Sequence, residues 1–167
     1  EAIGAITAPV DRGLVTRLAS LVTEATSDLE EYNYTRALER TEQFFWDFCD
    51  NYLELVKARR YGDLGLDGAG SANAAMVVTL RTLLRLFAPF LPYVTEEVWS
   101  WWQEGSVHRA TWPTADEVLA SVGGAGDAAG TEALTMASWA LGEIRRTKSE
   151  AKKPLRTPVV DFHVTAS

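Results

Sequence analysis

The stretch from about Tyr34 to Tyr61 carries a wide apolar face at helical spacing. The apolar positions recur at helical spacing, and neighbours widen the stripe, as follows: Leu38, Phe44, Phe45, Phe48, Cys49, Tyr52, Leu53, Leu55 and Val56. A helix with so wide a stripe must be covered on two sides, as in the middle of a bundle. Cations in the last turn followed by Gly62 predict the end of this helix. The pattern therefore predicts an all-α antiparallel bundle.

Further helices are predicted on both sides of this one. They run from about Asp11 to Glu31, over 72–88 with Ser71 as N-cap, from Pro92 to about Trp102, and from Thr131 onward with basic residues at the end. The glycine-rich segments 62–70 and 123–130 predict flexible loops. None of these stretches reaches the roughly 20 uncharged apolar residues that a bilayer span needs.

The C-terminal segment has a different pattern. Pro154 and Pro158 bracket an extended piece, and Val159, Phe162 and Val164 have the alternation of a starting strand. We therefore expect a helical bundle over 1–113, a flexible linker over 114–130, and the start of a small α/β junction unit over 131–167.

Charge and the rarer side chains narrow the function. Two distant histidines and one cysteine, Cys49, supply neither a metal site nor a nucleophile pair, so no catalytic residue and no metal ligand is predicted. The single cysteine is compatible with a reducing cytoplasm. The net charge is −7, but its distribution is uneven. Residues 1–56 hold four basic and eleven acidic side chains, whereas residues 145–156 hold six basic and one acidic. One basic face on an acidic chain is therefore expected.

Three blocks of sequence resemble a known family. Residues 45–57, FWDFCDNYLELVK, resemble the FW-x-FCD-x-YLEL-x-K segment of valyl-tRNA synthetases. Residues 86–99, LFAPFLPYVTEEVW, resemble a block shared by the synthetases for valine, isoleucine and leucine. Ser106-Val107-His108 and Trp112-Pro113 match the element that follows it, and Arg145-Arg146-x-Lys148 resembles the junction after the bundle. The blocks agree in order and spacing from about Asp11 to Pro158, and Phe-Cys-Asp favours valine.

The resemblance implies a binding role inside an enzyme. The parent would attach valine to its tRNA with ATP and Mg²⁺ in the cytoplasm, while this region binds the anticodon stem and loop. The HIGH-type and KMSKS-type motifs and an editing domain are absent from these residues, so we expect no catalysis and no cofactor in this region. The expected partners are valine tRNA and the catalytic and editing domains of the same chain, without a membrane. The helix that opens the bundle in the family would lie before Glu1.

The candidate tRNA-binding residues are the cations and one aromatic ring that such recognition requires, because phosphates attract Lys and Arg and unpaired bases stack on rings. They are Lys57, Arg59, Arg60, Tyr61, Arg81, Arg85, Arg145, Arg146, Lys148, Lys152, Lys153 and Arg156. The helix ends that carry them are equally typical of dipole compensation and of solvated surface.

Three alternatives remain open from the residues alone. The chain could be the equivalent domain of an isoleucyl- or leucyl-tRNA synthetase. It could instead be a helical protein-interaction module that never meets RNA. Asp47, Asp50 and Glu54 also approximate a carboxylate face, as a bridged metal bundle would need, although no Glu-x-x-His pattern accompanies them.

Overall fold

The computed structural model describes residues 5–62, 66–161 and 163. Within these residues the chain is all-α and contains no strand, which confirms the predicted helical bundle. The elements are α1 (Pro9–Glu30), α2 (Tyr34–Asp47), a π-helical turn (Phe48–Tyr52), α3 (Leu53–Arg60), α4 (Leu66–Phe87), α5 (Pro92–Ser100), a 3-10 turn (Val107–Arg109), α6 (Ala115–Ala120) and α7 (Ala128–Glu150).

Helix α1 is the central element of the core. Leu14, Val15, Leu18 and Val22 are buried along one side of it at helical spacing. The main apolar cluster joins these residues to buried side chains of α2, the π-helical turn, α3, α4, α6 and α7. A second, smaller cluster joins α4, α5 and the 3-10 turn. The wide apolar stripe predicted for the second helix is therefore explained by its position between α1 and α4.

The predicted second helix is continuous in space but changes its winding at Phe48–Tyr52. From Tyr34 to Arg60 it is about 40 Å long at 1.5 Å per residue. The extra residue of a π-helical turn alters the angular position of every later side chain. As a result Phe44, Phe48, Tyr52 and Val56 are all buried on one side, at a spacing of four residues.

Helix α4 begins at Leu66, so the flexible loop expected over 62–70 is wrong for its second half. Ser71 does not cap its own helix, because it lies inside α4 and is buried. Its hydroxyl oxygen instead accepts hydrogen bonds from the backbone N–H groups of Thr7 and Ala8, at 3.0 and 3.1 Å. Ser71 thus serves the start of α1, which has no side-chain cap of its own.

The segment 114–130, expected to be a flexible linker, is structured. Thr114 caps α6 by accepting from the backbone N–H of Glu117, and Val118 and Val122 are buried in the main core. Arg12 of α1 donates to the Val122 carbonyl oxygen and to Asp127. The glycine-rich composition suggested flexibility, but the two buried valines and the hydrogen bonds from Arg12 hold the segment against α1.

Helix α7 begins at Ala128, three residues before the predicted Thr131, because Asp127 caps it through the Gly130 N–H at 2.8 Å. The helix packs directly on α1, and Leu134 belongs to the same core as α1. The unit expected to start at residue 131 therefore shares its core with the bundle. The expected strand is absent at Val159, and Phe162 and Val164 lie outside the described residues.

Across the described part of the chain, helices long and apolar enough to cross a membrane are absent.

Candidate nucleic-acid interface

The end of α3 presents a compact group of polar side chains to solvent. Arg60 donates to Asn73 Oδ1 at 3.2 Å, and its guanidinium lies 5.6 Å from the centre of the Tyr61 ring. That ring is 68% exposed. Lys57, one turn earlier, is also exposed and donates to Glu54 at 3.3 Å. Lys57, Arg60 and Tyr61 thus offer two cations and an aromatic plane at one helix end, as the sequence suggested.

Arg59, in the same turn, points inward. Its guanidinium donates to both oxygens of the buried Asp11 carboxylate, at 2.9 and 2.5 Å, and only 17% of the side chain is exposed. A guanidinium held in this way has little left to offer to a phosphate group. The structure therefore gives Arg59 a carboxylate partner within the fold.

Arg81 and Arg85 share one side of α4, as predicted, but differ in environment. Arg85 is only 4% exposed and donates twice to the Glu117 carboxylate, both times at 2.9 Å. It also donates to the Thr111 carbonyl oxygen. The hydrogen bonds from Arg85 hold the pKa of Glu117 below its ordinary value. Arg85 is thus an internal tie between α4 and α6, while Arg81 remains exposed.

Arg145 joins α7 to the π-helical turn. Its guanidinium donates to the Asp50 carbonyl oxygen at 2.6 Å and to Asn51 Oδ1 at 3.2 Å. Arg146, on the solvent side of α7, pairs with Glu143 and Glu150 on its own helix. These carboxylates raise the pKa of Arg146, Glu143 contributing most. Arg145 therefore docks its helix, and Arg146 belongs to a local surface ion network.

The basic run continues past the end of α7 in a tight cap. Lys152 has a φ of 51°, and the N–H groups of Lys152 and Lys153 donate to the carbonyl oxygens of Ser149 and Lys148. These two bonds form a Schellman motif. Lys148 Nζ donates to the Leu155 carbonyl oxygen at 2.8 Å, which holds the following segment against the helix. The cap thereby turns the basic run back across its own helix.

Lys152, Lys153 and Arg156 are exposed, and within the described residues no carboxylate pairs with them. They differ in this from Arg145 and Arg146, whose side chains have partners. Together with the exposed Arg81, these three are the predicted cations most available to an outside anion.

A groove of about 490 Å³ lies between the π-helical turn with the start of α3 on one side and the end of α7 on the other. It is lined by Cys49, Asp50 and Glu54 from one side and by Leu141, Ile144, Arg145, Lys148 and Leu155 from the other. Because Lys57 bonds to Glu54, the exposed end of α3 begins at the rim of this groove. We call the whole set the basic rim, defined as Lys57, Arg60, Tyr61, Arg145, Arg146, Lys148, Lys152, Lys153 and Arg156. Arg81 lies outside it, near Glu117 on the α6 side.

The carboxylates of Asp47, Asp50 and Glu54 do not form a metal site in the structure. Asp47 pairs with Arg17 at 2.7 Å and accepts from Asn51. Among the described residues no cluster of three or more His, Cys, Asp or Glu side chains could hold a metal ion. Burial, with a smaller contribution from Asp50, raises the pKa of the Cys49 thiol, so the groove contains no ready thiolate nucleophile.

Sequence reasoning missed the residue that organises the end of α3. Asp11 is fully buried and accepts hydrogen bonds from Arg59, from Tyr52 Oη at 2.9 Å and from Ser71 Oγ at 2.6 Å. Burial, and then the Asp11 carboxylate, raise the pKa of the Tyr52 hydroxyl, so that it stays a donor. The partners lie 41 to 60 positions away in sequence, and no local pattern points to them.

Comparison with known proteins supplies the context of this surface. The model of a family described as the anticodon-binding domain of tRNA ligase matches residues 11–164. The chain is 54% identical over 168 residues to a valine–tRNA ligase of Salinispora tropica, which covers 94% of this chain and 19% of that protein. It is 51% identical over 163 residues to a valine–tRNA ligase of Cutibacterium acnes, with 96% and 18% covered.

A valine–tRNA ligase of Thermobifida fusca is 54% identical over 155 residues, with 93% of this chain and 17% of that protein covered. The chain thus spans about a fifth of the length of these curated relatives.

Proposed function

Because this chain belongs to the family of anticodon-binding domains of tRNA ligases, we propose that its basic rim binds the anticodon stem and loop of a valine tRNA. The observation that carries the proposal is the match of the family model to residues 11–164, which include the whole rim. The chain itself would bind and position RNA, and the chemistry would be done elsewhere in the parent enzyme.

The rim has the chemistry that the proposal requires. Lys152, Lys153 and Arg156 can neutralise phosphates of the stem without competing for an internal carboxylate. The exposed ring of Tyr61 offers a face on which an unpaired base of the loop can stack. The stem would therefore lie along the end of α7 and the loop near the end of α3. Arg59 and Arg85 would support the fold.

The choice of valine rests on the relatives, which are named valine–tRNA ligases at 51 to 54% identity. We propose that the parent attaches valine to tRNA in the cytoplasm, with ATP and Mg²⁺ bound by its catalytic domain. This region would then contact that tRNA and the catalytic and editing domains of its own chain. The isoleucine and leucine alternatives have no such support among these relatives.

Reversing one exposed charge tests the proposal. The Lys153→Glu variant should bind valine tRNA about tenfold more weakly, and the salt dependence of binding should fall by roughly one phosphate contact. Arg109→Glu is the matched control, since Arg109 is exposed, lies outside the rim and pairs with no carboxylate among the described residues. Equal losses for both variants would mean that only overall charge matters, and the rim would lose its role.

A further inference from the structure

The carboxylate of Asp11 ties three elements to one point. Oδ1 accepts from Tyr52 of the π-helical turn and from Arg59 of α3, and Oδ2 accepts from Arg59 and from Ser71 of α4. Asp11 has no exposed surface. A buried carboxylate is costly unless its oxygens accept hydrogen bonds. Loss of any one of these donors would therefore raise the free energy of the folded state, and this cost holds Tyr52, Arg59 and Ser71 in place.

Arg59 carries this constraint to the surface. Its aliphatic stem lies against Gly68 of α4, where an added Cβ would come within 2.6 Å of Arg59 Cδ. The side chain is therefore held by Asp11 at its tip and by α4 along its length. The next two residues are Arg60 and Tyr61, and Lys57 lies two positions earlier. The last turn of a helix ordinarily frays, but here its middle residue is fixed to the core.

We propose that Asp11 is a positioning residue for RNA binding, which holds the end of α3 so that Lys57, Arg60 and Tyr61 are presented in a fixed arrangement. This inference rests on the proposed function and adds to it a buried residue that never touches the RNA. An arrangement fixed before binding loses less conformational freedom when the RNA binds, and its affinity is higher for that reason.

The sign of one substitution separates positioning from simple electrostatics. Asp11→Asn removes a negative charge, so a purely electrostatic view predicts tighter binding to a polyanion. Positioning predicts the opposite, with binding to valine tRNA about fivefold weaker. Asp116→Asn, at an exposed carboxylate of α6 outside the rim, removes the same charge without touching the network, and its affinity should stay within about twofold. Unchanged or tighter binding by Asp11→Asn would overturn the proposal.

A double-mutant cycle shows whether Asp11 acts through the end of α3. In a Lys57→Ala, Arg60→Ala background the further change Asp11→Asn should cost under about twofold, because the contacts that it positions are gone. A merely structural role would give the same fivefold loss in both backgrounds, and that result would contradict positioning. Amide hydrogen exchange at residues 57–61 should also be faster in Asp11→Asn than in the unchanged chain, and this increase should exceed any increase in the interior of α1.

Two further outcomes complete the test. If Asp11→Asn does not fold, Tyr52→Phe removes one hydrogen bond from the same carboxylate at constant charge. It should weaken binding about twofold in the unchanged chain and have no effect in the Lys57→Ala, Arg60→Ala background. If the unchanged chain does not bind valine tRNA, the proposed function itself fails. If the unchanged chain binds valine tRNA and the Asp11→Asn and Tyr52→Phe variants bind it with the same affinity as the unchanged chain, only the positioning inference fails.

Discussion

Two arginines that the sequence predicts as surface cations form ion pairs with carboxylates far away in the chain. Arg59 pairs with Asp11, 48 positions earlier, and Arg85 pairs with Glu117, 32 positions later. Each donates through two nitrogen atoms of its guanidinium, a geometry that lysine cannot reproduce. At the residue scale, the same side chain can therefore be a ligand for RNA or a tie within the fold, and the partner decides between them.

Replacement of Arg85 tests this division. Arg85→Ala should lower the free energy of unfolding by about 1 to 3 kcal/mol, because the change removes a nearly buried side chain that donates to four oxygen atoms. Arg81→Ala, at an exposed position one turn away, should change it by less than about 0.5 kcal/mol. Urea unfolding of the two variants measures the difference. Equal stabilities of the two variants would mean that the Arg85 side chain does not hold Glu117 and Thr111 in solution.

The pair also predicts a dependence on pH. The folded chain lowers the pKa of Glu117 below its ordinary value of 4.5, so the folded state binds that proton less readily than the unfolded state. The contribution of the pair is therefore complete above pH 4.5 and is lost as the pH falls through the lower folded value. The stability difference between the unchanged chain and Glu117→Gln should be larger at about pH 6 than at about pH 3. A difference that grows on acidification would contradict the pairing.

At the scale of helices, the contact of α1 with α7 depends on two glycines. A Cβ on Gly13 would lie 2.1 Å from the Gly130 carbonyl oxygen, and a Cβ on Gly130 would lie 2.6 Å from the Pro9 carbonyl oxygen. Both obstacles are backbone atoms, which cannot rotate away as a side chain can. The two helices can therefore touch at this point only because neither residue has a side chain. This contact sets the path that α7 follows to the π-helical turn.

Alanine substitutions at two glycines should have opposite effects. Gly13→Ala should destabilise the chain by about 1 to 3 kcal/mol or more, because the helices must separate. Gly142→Ala, in the same α7, meets nothing within 4 Å and should stabilise the chain by about 0.5 to 1 kcal/mol through helix propensity. Thermal unfolding of both variants measures the two signs. A neutral Gly13→Ala would show that α7 does not cross α1 here.

The helices themselves were predictable, and their ends and contacts were less so. The periodic burial of Leu14, Leu18 and Val22 lies within α1, and a local pattern is sufficient to find it. The predicted role of Ser71 as an N-cap was wrong because its hydroxyl oxygen accepts from the N–H groups of Thr7 and Ala8. Those groups lie more than 60 positions away, where no local pattern reveals them. The π-helical turn was missed because apolar residues four positions apart, such as Phe48 and Tyr52, also share one side of a regular α-helix.

The sequence predicted which residues belong to the candidate site, but it did not predict which of them are exposed and which have partners inside the fold. The sequence pointed to both basic segments. In the structure Arg145 and Lys148 line one groove with Glu54, and Glu54 accepts a hydrogen bond from Lys57 at the end of α3. The sequence could not separate the partnered Arg59 from the exposed Arg60, which are adjacent in the chain and carry the same charge. Their difference comes from Asp11 and Asn73, which tertiary packing brings to them.

The whole molecule separates its charges as well as its helices. The four cations of residues 1–56 all pair with carboxylates, as follows: Arg12 with Asp127, Arg17 with Asp47, Arg36 with Asp28, and Arg40 with Glu24 and Asp28. Residues 1–56 therefore offer little to a polyanion. Among the described residues, most of the cations without a carboxylate partner lie at the end of α7 or just after it, as follows: Arg145, Lys148, Lys152, Lys153 and Arg156. A net charge of −7 is compatible with RNA binding because the cations at the end of α7 make a local excess of positive charge.

The measurement that tests the central claim most directly is the affinity of this chain for valine tRNA beside the same tRNA with a changed anticodon. Both titrations should be run at about 50 mM and about 200 mM salt. The account predicts tighter binding to the natural anticodon and a fall in affinity of more than about tenfold between the two salt concentrations. Equal affinity for both anticodons, or no binding at low salt by a folded sample, would contradict it.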